Sequence, residues 1–369
     1  MKNNNTDKTK ELKTDWVNSL FLTLTPVSGI ILLILHIRYE GFDPNLLYGA
    51  VFFYFLCGLS ITAGYHRLIS HRSYKANPII KFLFLIFGAG AFQNSALKWC
   101  SDHRRHHSHC DHELDPYDIN KGFFWAHMGW VMKKEPTDYV KRFGGEMKTD
   151  KLIIWQDKYY LALSILVGFC LPLAYGFYMG SPIGGLALAG VLRIVFVHHC
   201  TFFINSLCHI IGYQTYTDTN TAKDSPIMAL FSYGEGYHNF HHFFQTDYRN
   251  GVYFYQFDPT KWLIRSLSYF GLSYDLIRTP DESILKAKIN MQEQSAKVCL
   301  PIDSIQYKQI EKAKEVIDIC ILRIAELKKQ LKKHGPDTEE IKRRINVLQI
   351  ELKSDLEDWK MALNGLQLA

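Results

Sequence analysis

The hydrophobic positions of the chain are concentrated in four long runs, each predicted to cross a membrane as a helix. The hydrocarbon core of a bilayer takes about 20 apolar residues of helix to span. Four stretches meet that requirement: residues 16–37, 46–65, 159–179 and 182–207. Only Gly180 and Ser181 separate the last two runs, and a short loop separates the first two. The pattern therefore predicts a multi-pass integral membrane protein made of two helical hairpins.

The polar segments around these runs indicate their orientation. Residues 1–14 are polar, carry four lysines and are predicted to be disordered. Positive charge is retained on the cytoplasmic side, so the N-terminus is predicted to be cytoplasmic, and four spans return the C-terminus to that side. Residues 78–97 are apolar but contain Lys81, Gln93 and Asn94. We interpret them as a buried or re-entrant helix rather than a fifth span.

The last part of the chain is charged and carries an apolar seam of helical period. Asp337 and Glu340 have the spacing of a capping box at the start of a second helix. The sequence predicts a C-terminal helical hairpin or coiled-coil tail over 303–369, after a membrane domain over 15–285. Three roles are open for this tail: self-association, docking of the electron donor, or packing on the cap. The seam consists of two sets of seven residues: Ile310, Ala313, Ile317, Cys320, Ile324, Leu327 and Leu331, then Ile341, Ile345, Leu348, Leu352, Leu356, Trp359 and Leu363.

Charge and cysteine content narrow the classes of function. The chain has 42 basic and 36 acidic residues, a formal charge of +6, and no basic stripe with interleaved aromatics, so nucleic acid is not a predicted partner. The eight cysteines form no C-x-x-C pair, which favours a reducing, cytoplasm-facing site. The sixteen histidines are the unusual feature.

Nine of these histidines form tight groups that predict a metal centre. Two H-x-x-H-H boxes begin at His103 and His238, and on a helix this spacing puts all three rings of a box on one face. Imidazole is the commonest protein metal ligand. The predicted ligands lie at or just beyond the cytoplasmic ends of the spans: His66, His71, His103, His106, His107, His209, His238, His241 and His242.

The number and type of these ligands predict two redox-active ions. Nine imidazoles exceed what one ion coordinates, and a set without cysteine favours iron or copper over zinc. His66 and His71 would point about 140° apart on an ideal helix. Either each reaches a different metal, or the helix ends between them. Asn205 and His209 share one helical face.

The other ionisable residues near the boxes divide into two sets. The carboxylates that could orient the histidine rings are Asp102, Asp111, Glu113, Asp115 and Glu235, for which solvated surface charge is an equal alternative. We interpret the remaining seven histidines as non-ligands: His36, His109, His112, His127, His198, His199 and His334. Of these, His36 is predicted to lie at the membrane interface.

Several motifs resemble those of the membrane fatty acyl desaturases, and most closely the acyl-CoA delta-9 (stearoyl-CoA type) desaturases. The resemblance covers about residues 15–280. It is carried by ITAGYHRLISH at 61–71, HRRHH at 103–107, GFFWAHMGW at 122–130, NSLCH at 205–209 and GEGYHNFHH at 234–242.

The resemblance implies an all-α integral membrane protein in which four transmembrane helices carry a helical cytoplasmic cap with a di-iron centre. The nine histidines would bind two iron ions, and Asn205 would reach one iron through a water. Such an enzyme uses O₂ as co-substrate to insert a cis double bond at delta-9. An unactivated methylene has no acidic proton, so acid–base catalysis alone cannot remove its hydrogen. The electrons would come from an external cytochrome b5-like protein, or from a ferredoxin with its reductase.

The resemblance also implies a substrate tunnel and a head-group site. The bend of the tunnel would be lined by Gln93, Trp99, Thr201 and Phe202, and its blind end by Tyr54 and Gly58. The head group would bind Asn94, Lys133 and Lys134. Ser101 stands where the related enzymes have an arginine, so acyl-carrier thioesters and phospholipids stay open as substrates beside acyl-CoA.

Two rival functions share parts of this pattern. A di-iron alkyl or fatty acid hydroxylase has similar boxes, whereas the H-x₄-H first box and the Asn205/His209 pair favour desaturation. A His-rich membrane metal transporter would need polar residues within its spans, and the four runs are nearly free of them. The chain has no His-Pro-Gly-Gly heme motif, so no fused cytochrome domain is expected.

Overall fold

The computed structural model describes residues 12–301, 304–332 and 338–367, and this part of the chain is mostly helical. Some predictions from the sequence concern residues outside the described part: residues 1–11, His334 and Asp337. Short helical turns occur at Ile119–Lys121, Trp125–Gly129, Val140–Phe143 and Gly145–Thr149. The longer helices are α1 (Trp16–Tyr39), α2 (Leu46–Ser70), α3 (Pro78–Ala89), α4 (Ala96–His109), α5 (Lys151–Tyr178), α6 (Pro182–His209), α7 (Pro226–Phe231), α8 (His238–Phe243), α9 (Pro259–Tyr269), α10 (Asp281–Cys299), α11 (Ile305–Lys332) and α12 (Thr338–Gln367).

The chain divides into two compact units. The first contains the described residues up to Tyr213 together with Asn220–Arg278, and the second contains Gln214–Thr219 and the described residues from Thr279 onwards. Two short strands in the first unit, β1 (Lys75–Ala76) and β2 (Ser273–Tyr274), pair antiparallel.

Four helices of the first unit are long and apolar enough to cross a membrane: α1, α2, α5 and α6. They correspond to the four predicted spans, and two of their bounds differ from the prediction by five residues or more. Helix α5 begins at Lys151 rather than 159, because Asp150 caps it by accepting hydrogen bonds from the backbone N–H groups of Leu152 and Ile153. Its first two turns contain Lys151, Gln156, Asp157 and Lys158, so an apolar run alone did not reveal them.

Helix α2 also extends further than predicted, to Ser70 rather than 65. Its last eleven residues, Ser60–Ser70, form wide π-helical turns. Just after the helix, the His71 N–H still donates to the His66 carbonyl oxygen at 3.1 Å, in the i→i+5 pattern of such turns. Because the i→i+5 bond widens the turn here, His66 and His71 come to the same side of the chain.

The helices next to the histidine boxes share one hydrophobic core. Buried side chains from α2, α3, α4 and α5 meet in it, including Tyr65, Leu85, Cys100 and Val167. The predicted buried helix over 78–97 is shorter, because α3 ends at Ala89 and a non-helical stretch leads to α4.

At the opposite ends of the spans, one carboxylate ties α1 to α6. Glu40 accepts hydrogen bonds from Ser181 and from the backbone N–H groups of Ile183 and Gly184, both at 3.0 Å. His36, predicted as a membrane-interface residue, is buried near this end of α1, with its Nδ1 3.1 Å from Glu40. Burial would raise the pKa of Glu40, but these hydrogen bonds outweigh it and lower that pKa to about 2.

The second unit is built from α10, α11 and α12. All fourteen residues of the predicted seam belong to its hydrophobic core. Helix α10, which the sequence did not predict, contributes Ile289 and Ala296 to the same core. Trp359 is buried there, and its indole N–H donates to Gln292 at 2.8 Å. Helix α10 therefore packs with the two predicted C-terminal helices in one core.

Candidate metal centre

Four segments that are distant in sequence bring the nine predicted histidines together. The end of α2 and the residue just after it provide two, α4 three, the end of α6 one and α8 three. All nine have at least one ring nitrogen in one of two clusters of potential metal ligands.

The larger cluster, called the five-histidine group, contains His66, His71, His103, His107 and His241, whose ligand atoms all lie within 4.8 Å of one another. The Nε2 atoms of His71 and His103 are 2.7 Å apart. Those of His66 and His107 each lie 3.0 Å from Nε2 of His241. His66 and His71 thus contribute to one cluster, and the wide turns at the end of α2 explain how.

The smaller cluster, called the four-histidine group, contains His106, His209, His238 and His242 within the same limit. Nε2 of His242 lies 3.1 Å from Nε2 of both His106 and His238. His209 Nε2 lies 3.2 Å from His238 Nε2. Each H-x-x-H-H box therefore divides its three rings between the two groups.

The spacing of these nitrogens fits metal coordination. Two imidazoles bound at a right angle to one metal, with bonds of about 2.1 Å, have their nitrogens about 3 Å apart. Burial, followed by the neighbouring histidines, holds the pKa of six ligands well below the ordinary histidine value: His71, His103, His107, His238, His241 and His242. These rings are neutral at pH 7, which is the state that binds a metal. The donor set therefore fits two metal ions.

Carboxylates orient the outer nitrogens of two ligands. Glu235 lies 2.8 Å from His66 Nδ1, and both oxygens of Asp115 lie 2.9 Å from His106 Nδ1. His209 Nδ1 contacts Thr221 at 2.7 Å, and Thr221 in turn donates to Asp111. A carboxylate on the second ring nitrogen fixes the tautomer and raises the basicity of the ligand.

The other two carboxylates considered from sequence do not bind a ligand ring. Asp102 is buried but pairs with Lys98 at 2.7 Å, and it also lies 3.8 Å from Arg105. Glu113 is exposed to solvent. For Glu113 the alternative of a surface charge is therefore the correct one.

Arg67 is a buried charge that the sequence analysis missed. Its guanidinium donates to Glu235 at 2.9 Å and to Asp258 at 3.1 Å, and all three side chains are buried. Asn250 also donates to Glu235, at 2.7 Å. Burial would raise the pKa of Glu235, but His66 and Arg67 outweigh it and hold that pKa below its ordinary value. Glu235 thus remains an ionised partner for His66.

A cavity of about 420 Å³ runs from the histidines into the span helices, a volume typical of small-molecule sites. Four ligands line it: His66, His103, His106 and His238. Among the other predicted site residues, seven line it: Gly58, Gln93, Asn94, Trp99, Thr201, Phe202 and Asn205.

Three of the predicted bend residues form a hydrogen-bonded chain. The Trp99 indole N–H donates to Gln93 at 3.3 Å, and the Gln93 amide donates to Thr201 at 2.9 Å. The Trp99 ring also stacks on His103, with centroids 5.0 Å apart. Phe92 and Asn94 on either side of Gln93 have positive φ angles, so the turn between α3 and α4 directs Gln93 into the cavity.

The other three predicted residues do not line the cavity. Lys134 is exposed and Lys133 half-buried, and the 133–134 segment pairs with the chain just before α1 through a bridge between Thr14 and Lys133. The Tyr54 ring instead packs on Tyr233, with centroids 4.7 Å apart. Tyr233 does line the cavity, and sequence spacing gave no indication of it.

The histidines interpreted as non-ligands are absent from both groups over the described residues. His198 lies 2.8 Å from the Ala91 carbonyl oxygen, and His127 lies 3.0 Å from His199 and 3.1 Å from Ser206. These contacts provide them with partners inside the protein.

Comparison with known proteins agrees with this geometry. The sequence model of the fatty acid desaturase family matches residues 44–278. The chain belongs to the fatty acid desaturase family, which confirms the resemblance found in its motifs, and with its four apolar helices it is an integral membrane protein.

Individual relatives lie within the same family. "Probable acyl-CoA desaturase" of Schizosaccharomyces pombe is 42% identical over 66% of this chain and 51% of its own length. "Acyl-CoA desaturase 1" of Saccharomyces cerevisiae is 39% identical over 76% of this chain and 55% of its own length. "Stearoyl-CoA desaturase 2" of Rattus norvegicus is 33% identical, over 67% and 71% respectively. The chain thus spans about half the length of the two fungal relatives.

Proposed function

We propose that the protein is an O₂-dependent fatty acyl desaturase that inserts a cis double bond at delta-9 into a saturated acyl-CoA. The observation that carries the proposal is the position of both histidine groups at one end of a cavity between apolar helices. The names of the three relatives, each an acyl-CoA or stearoyl-CoA desaturase, support it.

The nine histidines would hold two iron ions, five in one group and four in the other. Asn205 lines the same cavity and would complete the smaller set through a water. When bound, the iron pair would supply, with O₂, the oxidising power that removal of hydrogen from an unactivated methylene needs. Glu235 and Asp115 keep His66 and His106 in the tautomer whose Nε2 faces the cluster.

The protein's part in the reaction is to orient the acyl chain and exclude water. The bonded chain of Trp99, Gln93 and Thr201 fixes one wall beside His103, and Phe202 adds an apolar surface to the same cavity. A wall held by hydrogen bonds keeps its shape when the chain enters, so the same methylenes are presented to the metal centre each time.

The head group would bind near Asn94, the one predicted head-group residue that lines the cavity. Lys133 and Lys134 follow Val131, which also lines the cavity, by two and three residues. Both termini and the metal centre would face the cytoplasm, where an external cytochrome b5-like protein or ferredoxin would deliver electrons. The C-terminal helices could serve in self-association.

The test is lipid analysis of cells that lack their own desaturase. We expect new cis-monoenes from the wild-type chain and none from a His106→Ala, His241→Ala double variant, which removes one ligand from each group. His112→Ala is the matched control, because His112 is exposed and belongs to neither group. Gas chromatography with mass spectrometry gives the double-bond position.

The outcomes separate the candidate reactions. Hydroxylated chains would assign the protein to the hydroxylases instead. If purified protein binds no iron and cells accumulate no product, the proposal is wrong. If it binds two irons without product, the same assay with added electron donor and its reductase decides.

A further inference from the structure

The part of the cavity lining that α2 contributes stops at Gly58. Along α2 its lining includes His66, Thr62, Ile61 and Gly58, and no earlier residue of that helix takes part. Gly58 lies roughly 10 Å from His66 along the helix axis. The cavity therefore has a metal end and, about two turns deeper between the spans, a far end lined by Gly58 and Tyr233.

The phenol ring of Tyr233 fills the space beside Gly58. A Cβ atom added at Gly58 would lie 1.9 Å from Cζ and 2.1 Å from the hydroxyl oxygen of Tyr233. Since such distances are far inside van der Waals contact, the ring occupies the volume that any other side chain at position 58 would need. Tyr233 is almost completely buried there.

The ring is fixed at both of its ends. Its hydroxyl donates to the Tyr54 carbonyl oxygen at 2.9 Å. Its backbone carbonyl accepts from Thr260 at 2.8 Å, and the Thr260 hydroxyl lies 2.7 Å from that of Thr62. Tyr233 has a φ of +58°, a conformation rare for a residue with a side chain. These contacts hold the ring in one position.

Two aromatic residues of α2 pack against the Tyr233 ring. Tyr54 packs on it at 4.7 Å between centroids, and Phe55 meets it edge-on at 5.8 Å. The Tyr54 hydroxyl donates to the Phe231 carbonyl oxygen at 2.5 Å. A terminal methyl group of a bound chain would therefore meet a closed surface rather than a mobile side chain.

We propose that Tyr233, seated against Gly58, closes the far end of the cavity and sets the longest acyl chain that the enzyme accepts. This inference rests on the proposed desaturase function. Tyr54 then acts behind Tyr233 as its support. Tyr233 also lies two residues before Glu235 and five before His238, so one short segment carries both the closed end and part of the metal centre. Five residues span at most roughly 18 Å, which limits the distance between the two ends.

The experiment is a competition among saturated acyl-CoA thioesters from myristoyl to arachidoyl, presented together to the reconstituted full-length enzyme with its electron donor. Tyr233→Leu and Tyr233→Ala are expected to raise the ratio of longer to shorter monoenes by roughly 10-fold or more, because each methylene accepted or rejected by an apolar pocket changes discrimination by about that factor. Tyr233→Phe keeps the ring and loses only the hydroxyl, so its ratio should stay within about 2-fold of wild type.

A second variant tests whether volume is the cause. Adding Gly58→Leu to Tyr233→Ala refills the same space from the other side, and the preference is expected to return towards shorter chains. An unchanged ratio in both Tyr233→Leu and Tyr233→Ala, with product still formed, would overturn the inference.

A binding measurement separates this inference from the proposed function. Thermal stabilisation of the purified protein by each saturated thioester should rise with chain length and then fall. In Tyr233→Leu this fall should begin at a longer chain than in the wild type. If wild type makes no monoene but shows this shift, the desaturase proposal fails while the closed end stands. If the length profile is the same in wild type and Tyr233→Leu, Tyr233 does not set the limit.

Discussion

Replacing Arg67 with leucine should destabilise the protein strongly. The guanidinium lies 2.9 Å from Glu235 and 3.1 Å from Asp258, and only 1% of Arg67 is exposed. Its removal leaves two buried carboxylates without their shared cation. Breaking a buried ion pair by deleting one partner typically costs about 3–5 kcal/mol. At about 2–4 °C per kcal/mol for a domain of this size, Tm should fall by roughly 10 °C.

The effect should depend on pH in a defined direction. The folded-state pKa of Glu235 lies below its ordinary value of 4.5, so the stability from its ionised form is present above that value and is lost as the pH falls through the lowered pKa. Arg67→Leu raises that pKa, and protonation of Glu235 then relieves part of the defect. The Tm difference from wild type should therefore shrink as the pH is lowered from 7 towards 4.5.

The assay is thermal unfolding in detergent, followed by intrinsic fluorescence, with Arg67→Lys as the matched control. Lysine keeps the charge but cannot donate to both carboxylates with a planar fork. The fall in Tm should therefore be smaller in Arg67→Lys than in Arg67→Leu. A leucine variant within 1 °C of wild type at pH 7, or a lysine variant as unstable as leucine, would refute the reasoning.

Two further perturbations test other parts of the structure. Asp115→Asn should weaken metal binding by roughly 10–100-fold, because the His106 ring loses its carboxylate partner. The measurement is the metal content after graded chelation. Glu113→Gln is the control, because Glu113 is exposed. Glu40→Gln should cost about 1 kcal/mol, because the start of α6 loses an ionised cap. Since the pKa of Glu40 is about 2, its contribution should persist well below pH 4.5 and disappear only near pH 2 in a Tm series, and equal Tm values for the two proteins at neutral pH would contradict it.

Local patterns allowed the spans and the histidine sets to be predicted. Hydrophobic runs of about 20 residues depend only on neighbouring positions, and the i, i+3, i+4 spacing places three rings on one face without any tertiary information. The predicted third span started too late because Lys151 and Asp157 interrupt the apolar pattern in the first two turns of α5.

The remaining features depend on contacts that spacing does not encode. His66 and His71 meet only because α2 ends in wide turns, and an ideal α-helix would separate them. Arg67 and Asp258 are 191 residues apart in the chain, and Tyr233 reaches Gly58 across a similar distance. From its position beside His103, Asp102 was considered as a partner for a histidine ring. Its carboxylate instead forms an ion pair with Lys98, one helical turn away.

The convergence of histidines from α2, α4, α6 and α8 also has a consequence for chain entropy. About 130 residues separate His107 from His238, and linking such distant points removes freedom mainly from the unfolded chain. A bound metal pair would connect all four segments at once, much as disulfides staple a small secreted domain. Metal-binding energy would then be folding energy for this side of the protein, so the lifetime of the chain in a cell would follow the supply of its metal.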